Sequence, residues 1–291
     1  MERMHKAFKT LGAPAVLTIG LFIFVAIFGN ALSPYDPNAQ DLLSTSQSFS
    51  SNHILGTDHL GRDTASRLIK GAQTTLVGVT IILLLAASVG LTIGTISGYF
   101  GGWIDEILMR IVDFGLSVPS LVVALAIVGV FGTGYWNMII ALAIAWVPIY
   151  ARLTRGVVSA AVRQPHIESL WVLGASRTRI IVRHLVPVAL GSVMIYASAD
   201  AGMLALAIAN LSFLGLGVQP PLAEWGQMLV SALPYLEESP RQVILPGLAL
   251  TITVVGFNLL GEAVALSKTP RPLTGRALLR RRELFAREAV A

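Results

Sequence analysis

The residues of this chain equipped to do chemistry are gathered in three places. The first is His53-Ile-Leu-Gly56-Thr-Asp58-His59-Leu-Gly61-Arg62-Asp63, ahead of a long apolar run. Two glycines with four residues between them have the spacing of a phosphate-cradling loop. Such a loop needs Lys and then Ser or Thr after its second glycine to hold phosphate and magnesium. Arg62 and Asp63 stand there instead, so this chain is not expected to hydrolyse ATP. His53, Asp58, His59 and Asp63 carry atoms that bind metals. The same residues read more simply as a compact glycine turn with Asp63 capping the helix that follows. Neither His-Glu-x-x-His nor Gly-x-Ser-x-Gly occurs, and there is no cysteine, so no catalytic residue and no metal site is assigned.

The second place is Asp200, a lone carboxylate in the otherwise uncharged run from Val188 to Ala223. A carboxylate is costly in lipid, so it is expected to face a wet cavity, a partner or a pore. A hydrogen bond between helices and a place on a translocation pathway are both open readings.

The third place lies between Arg152 and Pro187, where six arginines accompany one acid, Glu168. Pro165 suits the first position of a helix, and Glu168 falls in its first turn, where the macrodipole favours a carboxylate. Ile167, Leu170 and Trp171 share one face by their spacing. Gly174 is a helix stop, followed by Ala175, and Ser176 can cap a second helix running to Pro187. Helix, sharp turn and helix are expected to lie parallel to a membrane, as a handle for a partner or as a lipid-surface element.

Composition dictates what must position these residues. Hydrophobic residues make up 54% and charged residues 13%, against about 25% charged in a soluble domain. Runs free of charge predict spanning helices at 11–31, 73–99, 111–131, 137–157, 187–215 and 243–266, each near the roughly 20 apolar residues a span requires. Phe131-Gly-Thr-Gly-Tyr-Trp136 supplies the turn between the third and fourth. The fold class is therefore all-α membrane protein with six transmembrane helices. Residues 1–10 and the basic tail 267–291 are expected inside, 32–72 form an outer loop, and 73–266 form a five-helix core containing the loop 158–187.

With the N-terminus inside, seventeen Lys and Arg fall on cytosolic segments and four outside, a decisive positive-inside bias. The net charge of +5 is thereby topological and faces membrane lipids, which argues against nucleic acid as a partner. The apolar run near the N-terminus is longer than the 7–15 residues of a signal-peptide core, so it reads as a retained span.

Glu168-Ser169-Leu170, Gly174 six residues after the Glu and Pro187 nineteen after it resemble the cytosolic EAA loop of permease subunits of ABC importers. The family's alanines after the Glu are Ser169 and Leu170 here, and His184-Leu-Val186 stands where Ile-x-Leu is usual. The segment His53 to Asp63, together with Leu211-Ser-Phe-Leu-Gly-Leu-Gly217 and Pro220-Pro-Leu-Ala-Glu-Trp225-Gly, is similar to the dipeptide, oligopeptide and nickel branch. The likeness runs from about Pro34 to Arg271.

This resemblance implies a coupling helix between the fourth and fifth spans, with Ile167, Glu168, Leu170, Trp171, Gly174, Ala175 and Pro187 as the ATPase-coupling residues. It also implies a bacterial cytoplasmic membrane location, a homologous sister permease, two cytosolic ATPase subunits and an extracytoplasmic peptide-binding protein. ATP and magnesium belong to those ATPases, and this chain is expected to hold no cofactor. Short peptides are the expected cargo, with nickel or another small solute as the alternative, and a secondary transporter or channel as the competing class. Asp200 is the candidate on the translocation pathway.

Overall fold

The computed structural model describes residues 20–268, except 22, 23, 26 and 30. Most of the expected first span at 11–31, the segment 1–10 and nearly all of the tail lie outside the described residues. From Thr64 onward the longer helices among the described residues are, in chain order, α1 (Thr64–Phe100), α2 (Gly102–Ser117), α3 (Ser120–Phe131), α4 (Tyr135–Val162), α5 (Pro165–Val172), α6 (Arg177–Phe213), α7 (Trp225–Ala232) and α8 (Arg241–Lys268). Among the described residues strand pairing is limited to one bridge between Thr57 and Asp63. The all-helical class expected from composition is what the described residues adopt.

Four helices, α1, α4, α6 and α8, are long and apolar enough to cross a membrane, and α2 with α3 qualifies as one further span bent by 89°. That bend corrects the straight helix expected at 111–131. Pro119 lacks an N–H and its ring crowds the preceding residue, so Val118 is extended (φ −109°, ψ 135°) and the helix ends at Ser117. The apolar pattern continues across the break, which is why hydropathy alone reads one span.

α1 also begins earlier than expected, taking in residues 64–72 of the expected outer loop. Asp63 caps it, accepting from the Ser66 N–H at 2.8 Å, so the helix starts a full two turns before its charge-free stretch. The expected span at 187–215 likewise starts early, at Arg177.

The core is built by close approach of backbones. Gly90, Gly94 and Gly98 of α1 form a stripe against α4, where a methyl group on Gly94 would sit 2.6 Å from Thr154 Cβ and 2.8 Å from the Arg155 nitrogen. Gly261 of α8 similarly faces Ala199 of α6, whose Cα would be 2.6 Å from an added methyl. Lipid tails are as apolar as leucine, so helices gain from packing rather than from leaving water, and small residues permit the contact. Around these crossings Ile82, Ala86, Met138, Leu142, Tyr150, Leu204 and Ile208 are buried together.

Short α7 packs into the Asp58 end of the bundle. Trp225 is buried against Gly71, its Nε1 donating to the Leu68 carbonyl at 3.1 Å. An indole with a satisfied N–H is an inexpensive buried group. α6 is followed by a glycine break: Gly215 is left-handed (φ +77°), with the Leu216 N–H bonded back to the Leu211 carbonyl.

Candidate functional site

At the end of the bundle opposite Asp58, α5 hangs between α4 and α6 and terminates as its residues dictate. Gly174 is left-handed (φ +76°), its N–H reaching the Trp171 carbonyl at 3.0 Å while the Ala175 N–H reaches the Leu170 carbonyl at 3.0 Å. This pair of bonds is the Schellman stop, and Leu170 and Ala175 pack in the same apolar cluster. Ser176 then caps α6, accepting from the Arg179 N–H at 3.4 Å.

α6 departs from expectation in running unbroken through Pro187. A π turn over Ile181–Leu185, closed by the Val186 N–H on the Ile181 carbonyl, widens the helix just before the proline. The wider turn relieves the clash between a proline ring and the preceding carbonyls. Thus the second helix of the loop is not a separate surface element; it is the first turns of a spanning helix.

α5 is fastened by one anchor. Ile167 is 1% exposed and packs with Val158 and Ala161 of α4 and with Ile180, Leu185 and Ala189 of α6. Leu170 is half-buried beside them, and Trp171 stacks on Tyr99 of α1 at 6.2 Å between ring centroids. Glu168 is exposed, as are Val172 and Leu173 at 88% and 80%. The loop therefore presents one carboxylate and two aliphatic side chains on a short helix held by three long ones. Sequence reading placed the anchor face correctly but missed Val172 and Leu173; two apolar residues directly before a helix-stopping glycine were the available signal.

Asp200 lies half-buried on α6 and accepts a hydrogen bond at 3.0 Å from the hydroxyl of Tyr150 on α4, itself packed edge-on against Tyr196 at 5.6 Å. The carboxylate thus bridges two spans and borders two aromatic rings. Two further acids meet arginines across helices: Asp105 of α2 is bidentate with Arg155 of α4, at 2.6 and 3.1 Å, and Asp113 pairs with Arg152. Together these pairs tie the bent segment to α4.

At the other end, the loop of Gly56 and Gly61 (both φ +72°) closes on its own carboxylate. Asp58 Oδ1 accepts the N–H groups of Leu60 and Arg62 at 2.9 and 3.0 Å, the positions a phosphate-binding loop offers its ligand. His53 Nδ1 contacts Asp63 at 2.9 Å. Glu224 caps α7, accepting from the Gln227 N–H at 3.1 Å and from the Thr75 hydroxyl at 3.3 Å, and burial raises its carboxyl above the usual range.

Residues 90–271 match the family described as binding-protein-dependent transport system inner membrane component. The chain is 39% identical over 263 residues to the nickel transport system permease protein NikC of Escherichia coli strain K12, covering 90% of this chain and 95% of that protein. It is 38% identical over 258 residues to the glutathione transport system permease protein GsiD of Pectobacterium atrosepticum, covering 88% of this chain and 86% of that one. Among solved structures, an inward-facing conformation of the MetNI methionine ABC transporter superposes with a TM-score of 0.56 at 19% identity, covering 70% of this chain and 97% of the other.

Proposed function

Because the chain belongs to the binding-protein-dependent transport system inner membrane component family, we propose that it is the permease subunit of an ABC importer that carries short peptides or peptide-like solutes inward. In this reading it pairs with a sister permease across a central pathway, receives cargo from an extracytoplasmic binding protein and is driven by two cytosolic ATPases. The observation that carries the coupling role is α5: exposed Glu168, Val172 and Leu173 on a helix whose Ile167 is locked between α4 and α6. A helix with an apolar tip fits a groove on an ATPase, and its anchor transmits movement of that groove to two spans as a rigid body.

Peptide cargo is favoured by the glutathione permease relative, since glutathione is a tripeptide, and nickel is favoured equally by the nickel permease relative. A nickel pathway needs no protein ligands if the ion travels chelated, so nickel stands as the second reading. Deleting the subunit in cells without a redundant peptide importer, then measuring uptake of labelled di- to pentapeptides alongside nickel, separates them. Loss of peptide uptake is expected; lost nickel uptake with unchanged peptide uptake reverses the cargo.

The positive-inside count predicts that the Glu168 loop is cytosolic and that Asp58 and Glu224 are outside. Single cysteines are informative because the native chain has none. An impermeant thiol reagent added to intact cells is expected to spare a cysteine at position 168, and its labelling there overturns the topology.

Asp200 is proposed to line the pathway, where its carboxylate attracts the N-terminal ammonium of a passing peptide. The small, half-buried neighbours Ala197 and Ser198 suit a wide, weakly binding passage. Asp200→Asn keeps an acceptor for the Tyr150 hydroxyl and removes the charge. Uptake of free-amine peptides is expected to fall about tenfold, the factor that corresponds to about 1.4 kcal/mol, with N-acetylated peptides little changed. An equal loss for both would assign Asp200 to helix packing alone.

A further inference from the structure

Arg62 and Arg67 are 3% and 2% exposed, and they converge on one carboxylate. Asp58 Oδ2 accepts from Arg62 Nε at 2.7 Å, with Arg67 Nε 3.5 Å away, while Oδ1 is taken by the Leu60 and Arg62 backbone N–H groups. Four donors fill the acceptor capacity of a carboxylate. The neighbouring acid, Asp63, faces elsewhere: its Oδ1 meets His53, and its Oδ2 accepts the N–H and hydroxyl of Ser66 at 2.8 and 2.7 Å. His59 stacks on Tyr235 at 4.6 Å, and burial lowers its pKa, so it adds no charge near neutral pH. The local balance is two guanidiniums against one carboxylate.

Polar groups are also left unpartnered here. Arg67 Nη1 is spent on the carbonyls of Pro37 and Pro221, at 3.0 and 3.4 Å. Among the described residues the buried hydroxyl of Thr64 and Nδ1 of His59 have no hydrogen-bond partner. Arg62, Thr64, His59 and Arg67 line one cavity of about 20 Å³ between the loop, the start of α1, α7 and Gln242 of α8. That volume admits a single water-sized or monatomic occupant. A surplus of buried positive charge beside an unspent hydroxyl donor selects an anion over a cation.

We propose that this cavity binds one small inorganic anion of the size of chloride, which fastens the Asp58 turn to α7 and α8. Oxyanions such as sulfate exceed the space, and a water would leave the second guanidinium uncompensated.

The test uses the whole purified transporter. Crystals soaked in bromide are expected to give an anomalous peak in the cavity within about 3.5 Å of the Arg62 terminal nitrogens and Thr64 Oγ1. The thermal midpoint is expected to rise saturably with chloride or bromide relative to gluconate at equal ionic strength. Thr64→Val removes a donor while leaving the Asp63 cap, and is expected to raise the half-saturating halide concentration three- to tenfold. A water rather than bromide in the cavity, equal midpoints in halide and gluconate, or a halide response unchanged in Thr64→Val would each overturn the assignment.

Discussion

Replacing Gly174 with valine is expected to reduce uptake at least tenfold while the subunit still inserts and accumulates in the membrane. Gly174 sits at φ +76°, and a methyl group there would meet nothing within 4 Å. The substitution therefore clashes with no neighbour and acts through its own backbone. A β-branched residue in the left-handed region is a genuine outlier, and the strain, about 1–2 kcal/mol, is relieved by opening the Schellman turn that sets the angle between α5 and α6. Asparagine tolerates left-handed geometry, so Gly174→Asn is expected to transport nearly normally. Uptake normalised to membrane content, with ATP hydrolysis measured on the purified complex, distinguishes uncoupling from loss of protein. If both variants transported equally well, the turn would have no part in coupling. Glu168→Lys probes the same element more gently, since a cation at an exposed helix N-terminus costs only about 0.3–1 kcal/mol.

A larger effect on the fold itself is expected from Gly94→Leu, which should remove most folded subunit from the membrane. The α1–α4 crossing leaves no space at this position: Thr154 Cβ and the Arg155 nitrogen lie 2.6 and 2.8 Å from where a side chain must begin. Backbone cannot step aside as a flexible side chain does, so the cost falls at or above the upper end of the roughly 1–3 kcal/mol typical of overpacking. Gly129→Leu is the matched control, because nothing lies within 4 Å of that α3 position. Thermal aggregation of the detergent-extracted subunit should separate the two variants clearly. Similar midpoints for Gly94→Leu and Gly129→Leu would mean that the two helices do not pack as described.

The loop from Pro165 to Pro187 was legible because its signals are local. Pro165 and Glu168 stand in the first turn of α5, Gly174 ends it and Ser176 caps α6, each acting within a few residues of itself. Likewise, composition and charge-free runs identified an all-helical membrane protein, since lipid leaves the backbone few other ways to satisfy its polar groups. The Gly90, Gly94 and Gly98 stripe was also present in the sequence, at the four-residue spacing of a helix contact, but the helix it meets is not written there.

What only the tertiary structure decided are the pairings across distance and the path of the chain through its prolines. Pro119 and Pro187 look alike in sequence, yet one bends its segment by 89° and the other is absorbed by a π turn. The Asp200–Tyr150 and Glu224–Thr75 hydrogen bonds join residues 50 and 149 positions apart, and Trp225 is buried through a carbonyl on α1. A side chain's type and neighbours in sequence set its local backbone; its partner is set by which helices come within reach, and that depends on every close crossing in the bundle at once.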